Sequence, residues 1–425
     1  MVDDQPKGEI DAMPIVSSEI QGKGVDLTNG LIPTSLCCPS RSSFLTGNYA
    51  HTTGVYTNDS AHYGGWPTFH DTGDENLTLA TQLDALGYHT GLFGKYMNEF
   101  NAFVPAGYIP PGWDSFDYLS PADGGDGAYY DYSINGTDPS GPYLEAPEDY
   151  STDVLSTYAT NFVASTPADQ PLFLYFAPFG PHGPVTPAPR DIGTWPLEPA
   201  SAIGALNEED VSDKPAWVQD NLPLDEMQMR QTLTDQHEVS MSLDDATGAI
   251  IDALGSRIDN TLFIYLSDNG YMLGAHRIFG KDVPYTRSTE VPMFVRWDGH
   301  IAAGSVNNRV TTNSDLTATI AEATGITGWS MEGRSLLSTK RGGTVLEQTD
   351  FSDHPAYCGY RTQRYLYVQY TYGQGKELYD YATDPDELTN IVSDPAYASV
   401  AKSLRHKTRV SCQPVPPGFS WTAIP

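Results

Sequence analysis

The chain has 425 residues, with 23 Lys and Arg against 54 Asp and Glu and a formal net charge of −31. That excess of negative charge repels nucleic acid and anionic membrane surfaces, so neither is an expected partner. No run of 18 apolar residues occurs, which argues against a membrane-spanning helix, and the 39% hydrophobic content is ample for a large core in two or three domains.

The chain opens MVDDQPKGEID, with no charged start and apolar run, so no signal peptide is visible. Asp3 and Asp4 follow an apolar residue. Adjacent carboxylates at a strand end are costly unless they are exposed or bind a cation. Residues 36–47, LCCPSRSSFLTG, open a helix, with Pro39 suited to the first turn. Cys37 then sits at the helix N-terminus, where backbone N–H groups and the dipole favour negative charge. Arg41, one turn on, can point back to the same place. This arrangement suits an anionic nucleophile or a bound oxyanion. A plain cysteine hydrolase or a phosphatase-type cysteine would leave the aspartates unexplained.

Residues 76–87 place Leu79, Leu83 and Leu86 on one helical face, with Gly87 as a stop. Residues 152–163 carry Val154, Leu155, Tyr158, Phe162 and Val163 at helical spacing. The run 171–178, PLFLYFAP, reads as a strand buried on both faces. A helical pattern over 237–254 leads to a strand ending in Ser267-Asp268-Asn269-Gly270, and 291–297 is a further apolar strand. Helices alternating with buried strands predict an α/β fold with a mostly parallel sheet. From Tyr357 on, aromatic alternating segments and a helix over 395–410 predict a small antiparallel sheet with one helix. Stretches 101–150 and 183–225 are too long for plain connectors and are expected to be site walls or lids.

The cysteines are Cys37, Cys38, Cys358 and Cys412. Neighbouring cysteines such as Cys37 and Cys38 rarely bridge each other. Cys358 and Cys412 are either a disulfide, implying an oxidising compartment, or two free thiols. Sequons stand at Asn58, Asn76 and Asn135. Ligands of an open parallel sheet bind at the C-terminal ends of strands. There, Asp268-Asn269-Gly270 is either a plain turn or part of a site, and His182 lies between prolines. Two aspartates, an Asp-Asn pair and no Cys-His cluster favour a hard ion, calcium or magnesium, over zinc.

Cys37, Pro39, Ser40, Arg41, Leu45, Thr46 and Gly47 together resemble the signature of the type I sulfatase family. Other pieces of its pattern follow in order: Asp3-Asp4-Gln5, Gly94-Lys95-Tyr96, Pro181-His182, Ser267 to Gly270, Lys281, and the ending KELYDYATDPDELTNIV. The resemblance covers nearly the whole chain. The forms CCPSR and GKYMNEF look closest to the N-acetylglucosamine-6-sulfatase-like branch.

The resemblance implies an alkaline-phosphatase-like α/β catalytic domain over 1–342 and a C-terminal α+β subdomain over 343–425. It implies that a separate formylglycine-generating enzyme oxidises Cys37 to formylglycine. One hydroxyl of the hydrated aldehyde attacks sulfur and the other expels sulfate. It further implies a calcium ion held by Asp3, Asp4, Asp268 and Asn269 and touching residue 37. Arg41, Lys95, His182 and Lys281 become catalytic, with Lys281 or His182 as the acid for the leaving alcohol. Asn98 and His276 are candidate substrate contacts. The implied reaction is hydrolysis of a sulfate ester, of a sugar, in a secreted or periplasmic setting. The net charge favours a short, singly sulfated sugar over a long polyanion, with loops 101–150 and 183–225 deciding which.

Two departures stand out. Met97 occupies the place of a family histidine. The buried strand that precedes Asp-Asp-Gln in the family is represented by Met1 and Val2 alone, so the expectation is either a truncated start or a sheet that lacks a central strand. The rival readings are a phosphatase or phosphodiesterase of the same superfamily, and a catalytically inactive binding protein.

Overall fold

The computed structural model describes residues 1–338 and 341–423. Among these, 13 strands form three sheets. The first runs β7 (Phe263–Leu266), β8 (Met293–Arg296), β1 (Val25–Leu31), β9 (Ser305–Thr312). The second runs β5 (Ser140–Tyr143), β4 (Tyr132–Gly136), β3 (Ser115–Pro121), β2 (His89–Gly94), β6 (Leu172–Ala177). Pairing is parallel for β1 with β9 and for β2 with both β3 and β6, whereas β8, β4 and β5 run antiparallel to their neighbours. Val2 pairs in parallel with Ser267, between the free edges of β6 and β7.

Among the described residues, five helices have ten or more residues: α1 (Cys37–Thr46), α2 (Ser151–Ser165), α3 (Glu226–Leu254), α4 (Asn313–Thr324) and α5 (Ala398–Ser411). All ten residues of α1 are buried, so it is a central element against the sheets rather than a surface helix. It stops at Gly47, whose φ of 74° supplies the left-handed turn that ends many helices. The sequence places the start of α3 too late. Asp225 accepts the Gln228 N–H and begins the helix within a polar segment whose apolar period is weak.

Three expectations about burial change. Leu79 and Leu83 are buried, but Leu86 lies beyond the helix Leu79–Asp84 and is exposed. Strand β6 is not buried throughout: Leu172, Phe173, Leu174 and Phe176 are partly exposed, because one of its edges has no partner strand. The stretch 101–150 is not a lid, since it holds β3, β4 and β5 and widens the sheet.

The third sheet is antiparallel, in the order β10 (Thr344–Gln348), β11 (Tyr357–Arg361), β12 (Tyr365–Tyr370), β13 (Lys376–Asp380). Helix α5 packs on it, and a disulfide joins Cys358 in β11 to Cys412 just beyond α5. This sheet shares a core with segments outside it. Leu346, Tyr357, Leu366 and Tyr379 pack with Met229, Leu233, Met272 and Tyr285, and residues of 183–225 such as Ile203 and Val218 join them.

Candidate active site

The site lies where several strands and α1 end together. Val2 accepts from Asp268 N at 3.0 Å and donates to Leu266 O at 2.9 Å, which sets Asp3 and Asp4 beside Asp268 and Asn269. Helix α1 brings Cys37 and Arg41 to the same point. The end of β2 delivers Lys95, whose N–H donates to Ala177 O at 2.7 Å. The loop after β6 delivers His182, and the segment before Tyr285 delivers Lys281.

Buried charges need partners, and these are paired closely. Arg41 Nε donates to Asp268 Oδ2 at 2.8 Å, its Nη1 to Lys95 O at 2.7 Å, and its Nη2 to Asp3 Oδ2 at 3.3 Å. Lys95 Nζ also donates to Asp3 Oδ2. Lys281 Nζ donates to Asp4 Oδ1 and, at 3.0 Å, to Cys37 Sγ. The Cys37 thiol lies 3.5 Å from Asp3 Oδ1. His182 Nε2 lies 3.6 Å from Asp4 Oδ2, while Nδ1 is engaged by Gly183 O at 2.6 Å. Tyr129 OH holds the loop by donating to His182 O at 2.8 Å.

This packing sets the protonation states. Burial would raise the Asp3 carboxyl, but Lys95, His182, Arg41 and Lys281 around it win and hold it well below the usual range. Burial, reinforced by Asp3, pushes the Cys37 thiol up to about 11 despite Lys281 and Lys95. A thiol there is neutral at pH 7 and a weak nucleophile. Burial opposes the charge of Lys95 and Lys281, but the carboxylates of Asp3 and Asp4, respectively the strongest counter-influences, keep both ammonium groups firmly protonated. Burial lowers His182, so its imidazole is neutral at pH 7. His182 and Lys281 have 28% and 11% of their side chains exposed, whereas Arg41, Asp3 and Asp268 have none. The cluster is therefore approached from the side of His182 and Lys281.

The donor set fits a hard cation. Ligand atoms of Asp3, Asp4, Cys37 and His182 lie within 4.8 Å of one another. Asn269 Nδ2 donates to Asp4 Oδ1 at 2.6 Å, and Asn269 Oδ1 is buried with no hydrogen-bond partner. A buried amide oxygen without a donor is costly, and an ion beside Asp4 would satisfy it. Asp268 is the fourth expected ligand, with Oδ2 on Arg41 and Oδ1 accepting Asp4 N at 3.3 Å.

The two expected substrate contacts have partners of their own. Asn98 packs against Cys38: its N–H donates to Cys38 Sγ at 3.0 Å. His276 is buried between two carboxylates, with Nδ1 2.6 Å from Glu208 and Nε2 3.9 Å from Glu387. Burial would lower its pKa, but these carboxylates raise it to about 9. Nδ1 is engaged by Glu208 and the buried ring lies between two carboxylates, which suits a structural cation better than a sulfate contact. Met97 is fully buried in the hydrophobic core, so that position supplies no base. Sequence reasoning missed Asn58. Its Oδ1 accepts the Cys38 N–H at 2.9 Å and so satisfies a free donor in the first turn of the helix that carries Cys37, a role its sequon disguised.

The chain matches a known family. The family described as Sulfatase matches residues 7–326, and one described as N-sulphoglucosamine sulphohydrolase, C-terminal, matches 274–412. The chain belongs to the sulfatase family. It is 31% identical over 353 residues to an extracellular sulfatase Sulf-1 homologue of Caenorhabditis elegans, covering 79% of this chain and 48% of that one. It is 27% identical to the N-acetylglucosamine-6-sulfatase of Homo sapiens, covering 81% and 64%. The chain thus spans about half to two thirds of the length of these relatives. A solved structure bound to its substrate D-glucosamine-2-N,6-O-disulfate superposes with a TM-score of 0.79 at 21% identity, covering 98% of each chain, so the sulfatase fold is shared throughout.

Proposed function

We propose that this chain hydrolyses the sulfate ester of a sulfated sugar, with residue 37 as formylglycine and calcium as its ion. The observation that carries the reading is the convergence on Cys37 of Lys281 at 3.0 Å and Asp3 at 3.5 Å, inside a buried cluster of Arg41, Lys95, Asp4 and Asp268. A thiol raised to about 11 makes a poor nucleophile, so conversion of Cys37 gains what the unmodified side chain lacks. Formylglycine would supply a hydrated carbonyl with one hydroxyl to attack sulfur and a second to release sulfate. Calcium, held by Asp3, Asp4, Asp268 and Asn269, would supply positive charge against the sulfuryl oxygens.

The chain's own groups do the rest. Arg41 and Lys95 hold Asp3 ionised, and Arg41 fixes Asp268 through its Nε at 2.8 Å, although burial and the neighbouring Asp3 raise the Asp268 carboxyl. Lys281, protonated and on the open side, donates a hydrogen bond to the nucleophile position and can protonate the leaving alcohol. His182, neutral and on the same side, can accept a proton at Nε2. With Met97 in the core, these two carry the acid and base duties.

A formylglycine-generating enzyme is the maturation partner in this reading, and the setting is secreted or periplasmic. The Cys358–Cys412 disulfide supports an oxidising compartment. No helix among the described residues is long and apolar enough to cross a membrane. The test is to offer the calcium-loaded protein N-acetylglucosamine 6-sulfate, an aryl sulfate and an aryl phosphate. Sulfate release well above phosphate release is expected. Turnover of the phosphate alone, with zinc, would support the phosphatase reading. Binding without turnover, on a chain proven to carry the aldehyde, would support the binding-protein reading.

A further inference from the structure

Lys281 is carried by the loop that joins β7 to the short helix Thr286–Thr289. That loop is held in a costly shape. Leu273, His276, Arg277 and Asp282 have φ values of 49°, 52°, 62° and 66°. Residues with a Cβ disfavour this left-handed region, and such backbone persists only where its surroundings over-determine it. The surroundings here are two anchors, one on each side of Lys281.

The first anchor is His276. Its N–H donates to Ala205 O at 3.0 Å, and nearby Gly274 O accepts the Asn207 N–H at 2.9 Å. Its Nδ1 lies 2.6 Å from Glu208 Oε2 and its Nε2 lies 3.9 Å from Glu387 Oε2. Both carboxylates are themselves held. Lys214 Nζ donates to Glu208 Oε1 at 3.1 Å, and Thr286 N and Tyr381 OH donate to Glu387 at 3.0 and 2.6 Å. The second anchor is Asp282. Its N–H donates to Ser35 O at 3.0 Å, its carbonyl accepts from Tyr357 OH at 3.2 Å, and its Oδ1 lies 3.4 Å from His354 Nε2. Glu387, His354 and Tyr357 all lie in the chain from β10 onward, so the C-terminal part grips the loop on both sides of Lys281.

The His276 ring meets Glu208, Glu387 and, at 4.5 Å, the ring of Tyr285, rather than the carboxylates around Cys37. Its reach into the site is through Lys281, whose Nζ stands 3.0 Å from Cys37 Sγ and donates to Asp4. A lysine ammonium rides on a flexible four-carbon stem, so it is placed only as well as the backbone that carries it. We propose that His276, gripped by Glu208 and Glu387, is a positioning residue for Lys281, and that the C-terminal part thereby belongs to the catalytic apparatus. The chemistry of Lys281 in this proposal rests on the sulfatase reading; the grip on its loop does not.

The test compares the calcium-loaded protein with its His276→Asn and Glu387→Gln variants. Asparagine tolerates the left-handed backbone but is too short to meet both carboxylates, and glutamine keeps an acceptor for Thr286 and Tyr381 without the charge. The first readout is kcat on N-acetylglucosamine 6-sulfate and on a nitrophenyl sulfate. A sugar alcohol is a poorer leaving group than a nitrophenol, so its departure depends more on the acid. In both variants kcat is expected to fall about tenfold to hundredfold on the sugar sulfate, and by a factor roughly threefold or more smaller on the aryl sulfate. The second readout is the rate at which acetic anhydride acylates Lys281 and Lys95, followed by peptide mass spectrometry. Lys281 is expected to label about fivefold or more faster in the variants, and Lys95 at its former rate. Equal kcat losses on the two sulfates, or equal gains in labelling of the two lysines, would mark a general loosening and overturn the proposal, as would no change in either readout. A parent protein that turns over neither sulfate would overturn the sulfatase reading, whereas faster labelling of Lys281 alone would still support the grip of His276 on its loop.

Discussion

In the proposed reaction Lys281 and His182 divide the proton work, because their surroundings push them in opposite directions. Lys281 stays protonated beside Asp4, and His182 is kept neutral by burial. Replacing Lys281 with alanine should lower kcat by roughly 10²- to 10⁴-fold, the usual reach of a positioned proton donor, as steady-state kinetics on an aryl sulfate would show. The acid limb of the pH–rate profile should follow His182. A lowered pKa means the neutral imidazole persists below the ordinary 6.5, so activity should hold to a lower pH before it falls. That limb should disappear in His182→Gln. An acid limb centred well above 6.5 would exclude neutral His182 as the base. The same logic removes His276, which a sequence reader cannot distinguish from a site histidine. Its carboxylate partner Glu208 is 68 positions away, and nothing local marks the pair.

At the scale of elements, two ties join the third sheet to the catalytic part. His51, just after α1, lies between Glu347 of β10 at 2.7 Å and Glu332 at 2.9 Å. Burial opposes its charge, but hydrogen bonds to Glu332 and Glu347 raise its pKa to about 10. A raised histidine contributes stability that is full below the unfolded value near 6.5 and is lost as pH climbs towards 10. Melting temperature should therefore decline across that window, and His51→Gln should flatten the decline. The second tie is Cys358–Cys412, which closes a loop of 54 residues. Loop entropy makes it worth roughly 4 kcal/mol, so reduction or Cys412→Ala should shift denaturant unfolding by that order. Elements with strong apolar periods, such as α2 and β7, were legible from the sequence. The start of α3 and the strands β3 to β5 were not, because polar capping and Gly-rich turns obscure their period.

At the scale of the molecule, groups separated by as much as 277 positions, Asp4 and Lys281, meet at one point. The place of Asp4 was legible because it follows a short apolar run, where an α/β sheet gathers its ligands, whereas Lys281 was reached through the family resemblance alone. Asn58 and the half-exposed β6 were not legible, since both depend on which elements become neighbours. Calcium bound only by the folded chain should raise melting temperature, and chelation should reverse the rise. Asn269→Ala should weaken calcium binding by about tenfold or more in a titration. It is a cleaner probe than Asp268→Ala, which would also strand the buried Arg41. The central claim is that the site is built around residue 37 and not its neighbour. Cys38 is turned toward Asn98, away from the aspartates. The most direct measurement is aryl sulfate turnover by Cys37→Ala and Cys38→Ala, with aldehyde content measured on each. The account predicts loss of turnover by roughly 10³-fold or more, and of the aldehyde, in Cys37→Ala, with most of both kept in Cys38→Ala. An active Cys37→Ala beside a dead Cys38→Ala would contradict it.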